Sequence, residues 1–149
     1  MYFNSVGRAN TKETADLALK AAVEKSIKYI VVASSSGDTT KLLINTDGLD
    51  IICVTHANGY PEPGKNEMSE DSRNELENLG IKVLTTSHVL SGAERGISKT
   101  FGGAYPVEII AHSLRILGQG TKVCVEVSIM ALDAGLIPYG CLLYTSPSP

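Results

Sequence analysis

The sequence lacks three features that would each point to a particular class of protein: a long apolar run, a basic block and a paired-cysteine motif. No stretch approaches the roughly 20 apolar residues of a membrane-spanning helix, and the amino terminus shows no secretory signal pattern. The 13 basic and 16 acidic side chains are interspersed, without the positive cluster that follows a nucleic-acid backbone. These absences predict a cytoplasmic protein that binds neither membranes nor nucleic acids.

The cysteines are few, scattered and odd in number. Cys53 and Cys124 lie inside apolar segments, and Cys141 stands near the carboxyl terminus. Neither a disulfide framework nor a CxxC zinc site follows from this spacing, so we predict no metal site. Thiols within apolar segments are typical of buried, reduced cysteines.

What is present is enough apolar sequence for one domain of ordinary size. The chain has 149 residues, 43% of them hydrophobic, and its apolar runs lack the alternation of half-exposed strands. Such runs alternating with helical patterns predict a three-layer α/β/α sandwich with a mostly parallel, doubly wound sheet. The predicted strands are Tyr29–Ala33, 49–55, 81–85 and 122–129, and the predicted helices are 11–25, 39–46, 69–79 and 106–117. Residues 86–103 are predicted to form a long polar loop.

The turn after the first predicted strand is the main candidate for ligand binding. It is rich in hydroxyls, contains a glycine and leads into a predicted helix, so free backbone amides and side-chain hydroxyls would converge there on a phosphate. The alternative is an ordinary turn in which an aspartate caps the helix. No Gly-Lys-Ser/Thr follows, which excludes a P-loop. The predicted ligand contacts are Ser34, Ser35, Ser36, Gly37, Asp38 and Thr39.

Two further polar clusters follow the next two predicted strands. They contain His56 and His88, and ligands of doubly wound sheets bind beyond the carboxyl ends of the strands. We therefore expect both clusters to share one rim with the serine-rich turn. An imidazole there is either a proton carrier in a binding site or a structural hydrogen-bonding group.

Two charged residues outside these turns are also candidates. Arg95 and Lys99 lie in the predicted loop, which could close over an anion, or Arg95 could instead form a surface pair with Glu94. Glu126 stands between valines of a predicted strand, so its carboxylate needs a partner, a cavity or a sheet edge. His88 and Glu126 are the candidates for a catalytic proton carrier.

The last nine residues abandon the preceding pattern. Residues 141–149 can be written as codons that match the transposase-end adapter of a sequencing library, so we predict that the coding sequence stops near Gly140. On this interpretation residues 1–140 form one truncated domain and residues 141–149 lie outside its fold. The missing part would then leave an exposed sheet edge.

The segment from Tyr29 to Thr55, with its Ser-Ser-Ser-Gly-Asp-Thr turn, resembles the carboxyl-terminal α/β domain of pyruvate kinases. The resemblance is stronger to the free-standing family named after that domain, and it covers nearly all of residues 2–140. Further segments that carry it are Gly7-Arg8, Ser87-His88-Val89-Leu90-Ser91-Gly92, Glu94-Arg95 and Val123-Cys124-Val125-Glu126. A pyruvate kinase barrel needs about 250 residues, so the sequence itself contains no pyruvate kinase catalytic centre.

The resemblance implies a pocket for a phosphorylated ligand. In some pyruvate kinases the equivalent turn binds a phosphate of a sugar bisphosphate effector, but Ser35 and Asp38 stand here where that turn has a lysine and an arginine. The free-standing family implies flavin mononucleotide (FMN) as a ligand. We therefore expect a binding domain for a phosphorylated small molecule; the alternatives are an enzyme that uses a flavin or acts on a phosphometabolite, and a structural domain that assembles with itself.

Overall fold

A four-stranded parallel sheet forms the centre of the protein. The structure, a computed structural model, describes residues 3–5, 7–44, 46 and 48–146. The sheet has the order β3-β2-β1-β4, so β1 and β2 are its central strands. Tyr29 of β1 lies beside Asp50 of β2 and beside Leu143 of β4. The strands are β1 (Tyr29–Ala33), β2 (Asp50–Val54), β3 (Lys82–Leu84) and β4 (Leu143–Ser146).

Helices cover both faces of the sheet, which confirms the predicted α/β class. One core packs Ile30 and Val32 against α1 and α3, and the other packs Val31 and Ile52 against α6. Within the described ranges, no helix has the length and hydropathy needed to cross a bilayer. A short 3-10 turn (Arg8–Asn10) precedes α1 (Thr11–Glu24), α2 (Asp38–Lys41), α3 (Glu70–Asn78), α4 (Gly92–Phe101), α5 (Pro106–Arg115) and α6 (Gln119–Asp133).

Local sequence signals account for most of these elements. β1 is buried on both faces, as its unbroken apolar run predicts. The Ser69 hydroxyl accepts a hydrogen bond from the Ser72 amide at 3.2 Å, so Ser69 caps α3 as expected. Pro106 occupies the first turn of α5, where its missing N–H costs nothing.

The predicted strand over residues 122–129 is wrong, because this segment lies within α6. Its β-branched residues and alternating valines favour a strand by propensity. Burial instead follows helical spacing: Glu126, Val127, Met130 and Ala131 are buried together. Packing against β1 and β2 on one face, through Val127, Met130 and Ala131, therefore outweighs the local preference.

Two other predictions of local structure also need correction. The predicted loop over residues 86–103 contains α4, whose two glycines, Gly92 at its start and Gly96 inside it, weaken the helical signal in the sequence. The helix predicted over residues 39–46 is only the four-residue α2, and residue 45 lies outside the described residues. The first correction matters for function, because it replaces a flexible loop by a helix that presents its side chains on defined faces.

The carboxyl-terminal segment contributes a strand to the sheet. Leu143–Ser146 forms β4 in parallel register with β1, although we expected residues 141–149 to lie outside the fold. The pairing does not identify the origin of the segment, since an open sheet edge accepts strands of unrelated sequence. The boundary at residue 140 and the adapter origin therefore stay predictions, and residues 147–149 lie outside the described residues.

Candidate functional site

A cavity of about 910 Å³ opens at the carboxyl ends of β1 and β2. Residues 33–35 and 54–57 line it where these strands end, α4 lines it with one face, and the amino-terminal half of α6 lines it from another side. Its volume falls in the range of small-molecule sites, and its position is the one expected for a ligand of a parallel α/β sheet. This cavity is the candidate functional site.

The cavity brings together the polar clusters that follow three different strands. Ser34 and Ser35 after β1, His56 after β2 and His88 after β3 all line it, together with Arg95 of α4. Glu126 reaches its wall from α6. The remaining four residues of the serine-rich turn do not line the cavity; they are Ser36, Gly37, Asp38 and Thr39.

The part of the turn outside the cavity already satisfies much of its own polarity. The Ser36 hydroxyl donates to Oδ2 of Asp38 at 2.9 Å and accepts a hydrogen bond from the Asp38 amide at 3.4 Å. Within the part of the turn that lines the cavity, the Ser34 amide is also engaged, since it donates to the Val54 carbonyl at 3.0 Å. α2 has only one turn, which limits the field that its amino terminus can offer an anion. A ligand role for residues 36–39 stays a prediction.

Gly37 has a structural reason to be glycine. Its φ of 93° lies in the left-handed region, and it is buried. A Cβ atom at this position would lie 3.0 Å from Cδ1 of Leu76 and 3.4 Å from Cε of Met68. The absent side chain thus lets the turn pack against the α3 side of the core.

Three rings form an aromatic cluster beside the cavity. The ring centroids of His56 and Tyr60 lie 4.0 Å apart, those of His56 and His88 5.4 Å apart, and those of Tyr60 and His88 6.4 Å apart. Nδ1 of His56 pairs with the Glu67 carboxylate, which orients that imidazole. All three rings line the cavity, so they offer it flat faces on which a planar ligand can stack.

His88 is the member of this cluster with a perturbed titration. Burial lowers its pKa, and the neighbouring charges of His56 and Lys122 lower it further, whereas Glu126 opposes the shift. The imidazole is therefore neutral at pH 7. A neutral imidazole can accept a proton or a hydrogen bond from a ligand.

The sequence left open whether the Glu126 carboxylate meets a partner, a cavity or a sheet edge. In the structure it has a partner and also lies in the cavity lining. Its carboxylate pairs with the Lys122 ammonium one turn earlier in α6, and both residues are at most 5% exposed. Its other oxygen accepts a hydrogen bond from the Leu90 amide at 3.0 Å. This carboxylate therefore joins α6 to the segment that leads into α4.

α4 is held to α5 through Glu94 and Ser98, and the adjacent face of the helix, which carries Arg95 and Lys99, lines the cavity. The Glu94 carboxylate accepts a hydrogen bond from the Val107 amide at 2.7 Å, and the Ser98 hydroxyl donates to Glu108 at 2.7 Å. Arg95 and Lys99, four residues apart, line the cavity. Glu94 is thus engaged with α5, and no described carboxylate forms a salt bridge with Arg95.

Three further cations line the cavity that the sequence analysis did not select. Arg8 precedes α1, Arg115 ends α5 and Lys122 lies in the second turn of α6. Nε of Arg115 donates to the Gln119 side chain at 2.7 Å, which orients the guanidinium. These residues come from separate elements and form no local motif, so only the tertiary structure assembles them.

Fold and cavity together define an α/β domain with a predominantly basic hollow at the carboxyl edge of its sheet. The model of the pyruvate kinase α/β domain matches residues 12–144. The chain therefore belongs to the pyruvate kinase α/β domain family.

Solved structures similar to this chain include two pyruvate kinases from Cryptosporidium parvum. Both are 16% identical to it and cover 96% of it, with TM-scores of 0.47 and 0.48. The chain spans 22% and 21% of their lengths, about a fifth. An NAD+ synthetase from Burkholderia pseudomallei is 11% identical over 87% of this chain and 60% of its own, with a TM-score of 0.41.

Proposed function

We propose that this domain binds a small phosphorylated ligand in the cavity at the carboxyl ends of β1 and β2. The observation that carries the proposal is the charge of the lining: five cationic side chains and one carboxylate, in a chain with more acidic than basic residues overall. The one carboxylate, Glu126, is already paired with Lys122. A cavity so lined favours anions, and arginine fits a phosphate by bidentate hydrogen bonding.

The binding residues differ in part from those that the sequence favours. Ser34 and Ser35 supply hydroxyl donors from the turn after β1, and Arg95 and Lys99 supply positive charge from α4. His56, Tyr60 and His88 supply the flat faces on which an aromatic part of the ligand would rest. This division of roles assigns the phosphate mainly to side chains of α4 rather than to backbone amides of α2.

FMN is a candidate ligand that these residues fit. The cations would hold its phosphate, and the aromatic cluster would stack against its ring system. When bound, a flavin supplies hydride and electron transfer, while the protein positions it and excludes water. Tyr60 is 62% exposed, so its ring can adjust to a ligand without disrupting the core.

Native mass spectrometry of the chain purified without added ligand tests the proposal. We expect a retained mass that contains phosphorus and that is lost in Lys99→Ala but kept in Lys25→Ala. Lys25 is an exposed lysine at the end of α1, away from the cavity. Titration with phosphorylated compounds, monitored by thermal unfolding, provides the second readout, because a ligand specific to the folded state raises Tm. No retained mass and no rise in Tm with any phosphorylated compound would contradict the proposal.

A second candidate function is an enzyme acting on the same ligand, and the neutral imidazole of His88 favours it. A base that is unprotonated at pH 7 and lines a cavity beside bound substrate can accept a proton from it. His88→Gln should then abolish turnover while ligand binding persists. Equal turnover in the variant would remove His88 from any reaction.

A further inference from the structure

We propose that the ligand carries a planar ring joined to a terminal diphosphate, as in nucleoside diphosphates, rather than a single phosphate. This inference rests on the proposed function and narrows its ligand class. Two independent features of the cavity carry it: the number of cations without an acidic partner, and the place of the aromatic cluster relative to one of them, Arg8.

Most of the cations in the lining have no acidic partner among the described residues. Lys122 is neutralised by Glu126 within α6. Four cations of the lining form no salt bridge with a described carboxylate. They are Arg8, Arg95, Lys99 and Arg115. A phosphate monoester carries about 1.5 to 2 negative charges at pH 7, so a single one would leave about half of these four positive charges uncompensated.

The arrangement of these cations also suits an extended anion. Arg95 and Lys99 lie four residues apart on one helix, whereas Arg8 and Arg115 come from two other elements. Cations brought from separate elements can contact separate phosphoryl oxygens, which one small tetrahedral group does not require. A diphosphate offers both the larger charge and the greater length.

The aromatic cluster defines the other end of the ligand. His56 and Tyr60 follow β2, and His88 follows β3, which is an edge strand of the sheet. Arg8 precedes α1, and α1 packs against β4 at the opposite edge. The cavity therefore offers stacking surfaces on one side and a cation on the other, with α4 contributing to the same lining. A ligand with an aromatic ring at one end and charge at the other matches this polarity, and about 910 Å³ accommodates it.

Matched ligand pairs test the inference by isothermal titration calorimetry. ADP is compared with AMP, GDP with GMP, and pyrophosphate with inorganic phosphate. We expect the diphosphate member of at least one ring-bearing pair to bind at least 10-fold more tightly than its monophosphate partner. The double variant Arg95→Ala/Lys99→Ala should remove this advantage, whereas Lys25→Ala should keep it.

The ring is tested separately by Tyr60→Ala. This variant should weaken the ring-bearing diphosphate but leave pyrophosphate affinity unchanged, because only the ring contacts the aromatic cluster. Equal affinity for mono- and diphosphates, still lost in Arg95→Ala/Lys99→Ala, would overturn this inference and leave the proposed function standing. Binding of no phosphorylated compound by folded protein, as judged by circular dichroism, would overturn both.

Discussion

Two glycine-bearing segments, the turn at residues 34–39 and helix α4, differ in how well their sequences predict a role in ligand binding. The turn has the sequence of a ligand site but largely lies outside the cavity, whereas α4 lacks such a sequence and lines it. The turn has the hydroxyls and the glycine of a phosphate loop, yet Gly37 packs against Leu76 and the Ser36 hydroxyl is bonded to Asp38. α4 has no ligand motif, yet a Cβ at Gly96 would meet no atom within 4 Å, and the helix lines the cavity. Hydrogen-bond donors can therefore contribute to ligand binding only where the fold leaves them unbonded and facing the cavity.

The largest effect expected from this comparison is on folding stability. Gly37→Val should lower the free energy of unfolding by about 2 to 5 kcal/mol, from left-handed backbone strain of about 1–2 kcal/mol and core overpacking of about 1–3 kcal/mol. Urea denaturation followed by circular dichroism measures it. Gly96→Val is the matched control and should change stability by at most about 0.5 kcal/mol, because it adds the same side chain in open space. Equal stabilities of the two variants would contradict the conclusion that Gly37 is packed in the core while Gly96 faces open space.

Gly96→Leu should separate ligand binding from folding. The leucine side chain would occupy part of the cavity, so we expect affinity for the ligand to fall at least ~10-fold, or about 1.4 kcal/mol. The fold should persist, since Leu favours a helix over Gly by roughly 0.8 kcal/mol. Calorimetric titration gives the affinity, and Gly96→Ala, with its smaller side chain, serves as the control. Unchanged affinity in Gly96→Leu would remove this face of α4 from the site.

Asp38→Asn tests whether the turn at residues 34–39 takes part in ligand binding. If the turn lies outside the site, ligand affinity should stay the same, and stability should fall by at most about 1 kcal/mol as α2 loses its amino-terminal charge. If the turn holds the phosphate instead, removal of the repelling carboxylate should raise the affinity. Calorimetric titration distinguishes an unchanged affinity, which places the turn outside the site, from a raised affinity, which places it inside.

The smallest expected effect is the pH dependence contributed by His88. Burial lowers its pKa in the folded state below the ordinary 6.5, so the unfolded chain binds the proton more strongly. Stability should therefore fall as the pH drops from about 6.5 through the folded-state pKa. His88→Gln should lose this part of the dependence, which urea denaturation at several pH values measures. The groups that influence His88 are Glu126, His56 and Lys122, so a slope unchanged in the variant would assign the dependence to other groups.

The fold could be predicted where local signals and tertiary packing agree. β1 is a continuous apolar run and Ser69 caps α3, so both elements follow from short stretches of sequence. α6 could not be recognised in the same way, because its alternating valines favour a strand until the sheet offers its apolar side a surface. α4 was missed because glycine lowers helix propensity, while its bonds to α5 are tertiary.

The position of the site could be predicted, but only part of its composition. Parallel strands end at one edge, so Ser34, His56 and His88 were expected to meet, and they line one cavity. Arg8 and Arg115 lie more than 100 residues apart in sequence and share no motif, so nothing local connects them. The ligand roles of all these residues stay predictions until binding is measured.

One carboxylate of α6 helps to fix the start of a helix to which it does not belong. Because Glu126 of α6 holds the Leu90 amide at the entrance to α4, the placement of α4 depends on a residue more than 30 positions away in sequence. Substitutions of the cavity-lining side chains of α4 leave this hydrogen bond in place, so its ligand contacts can be exchanged without removing the anchor on α6.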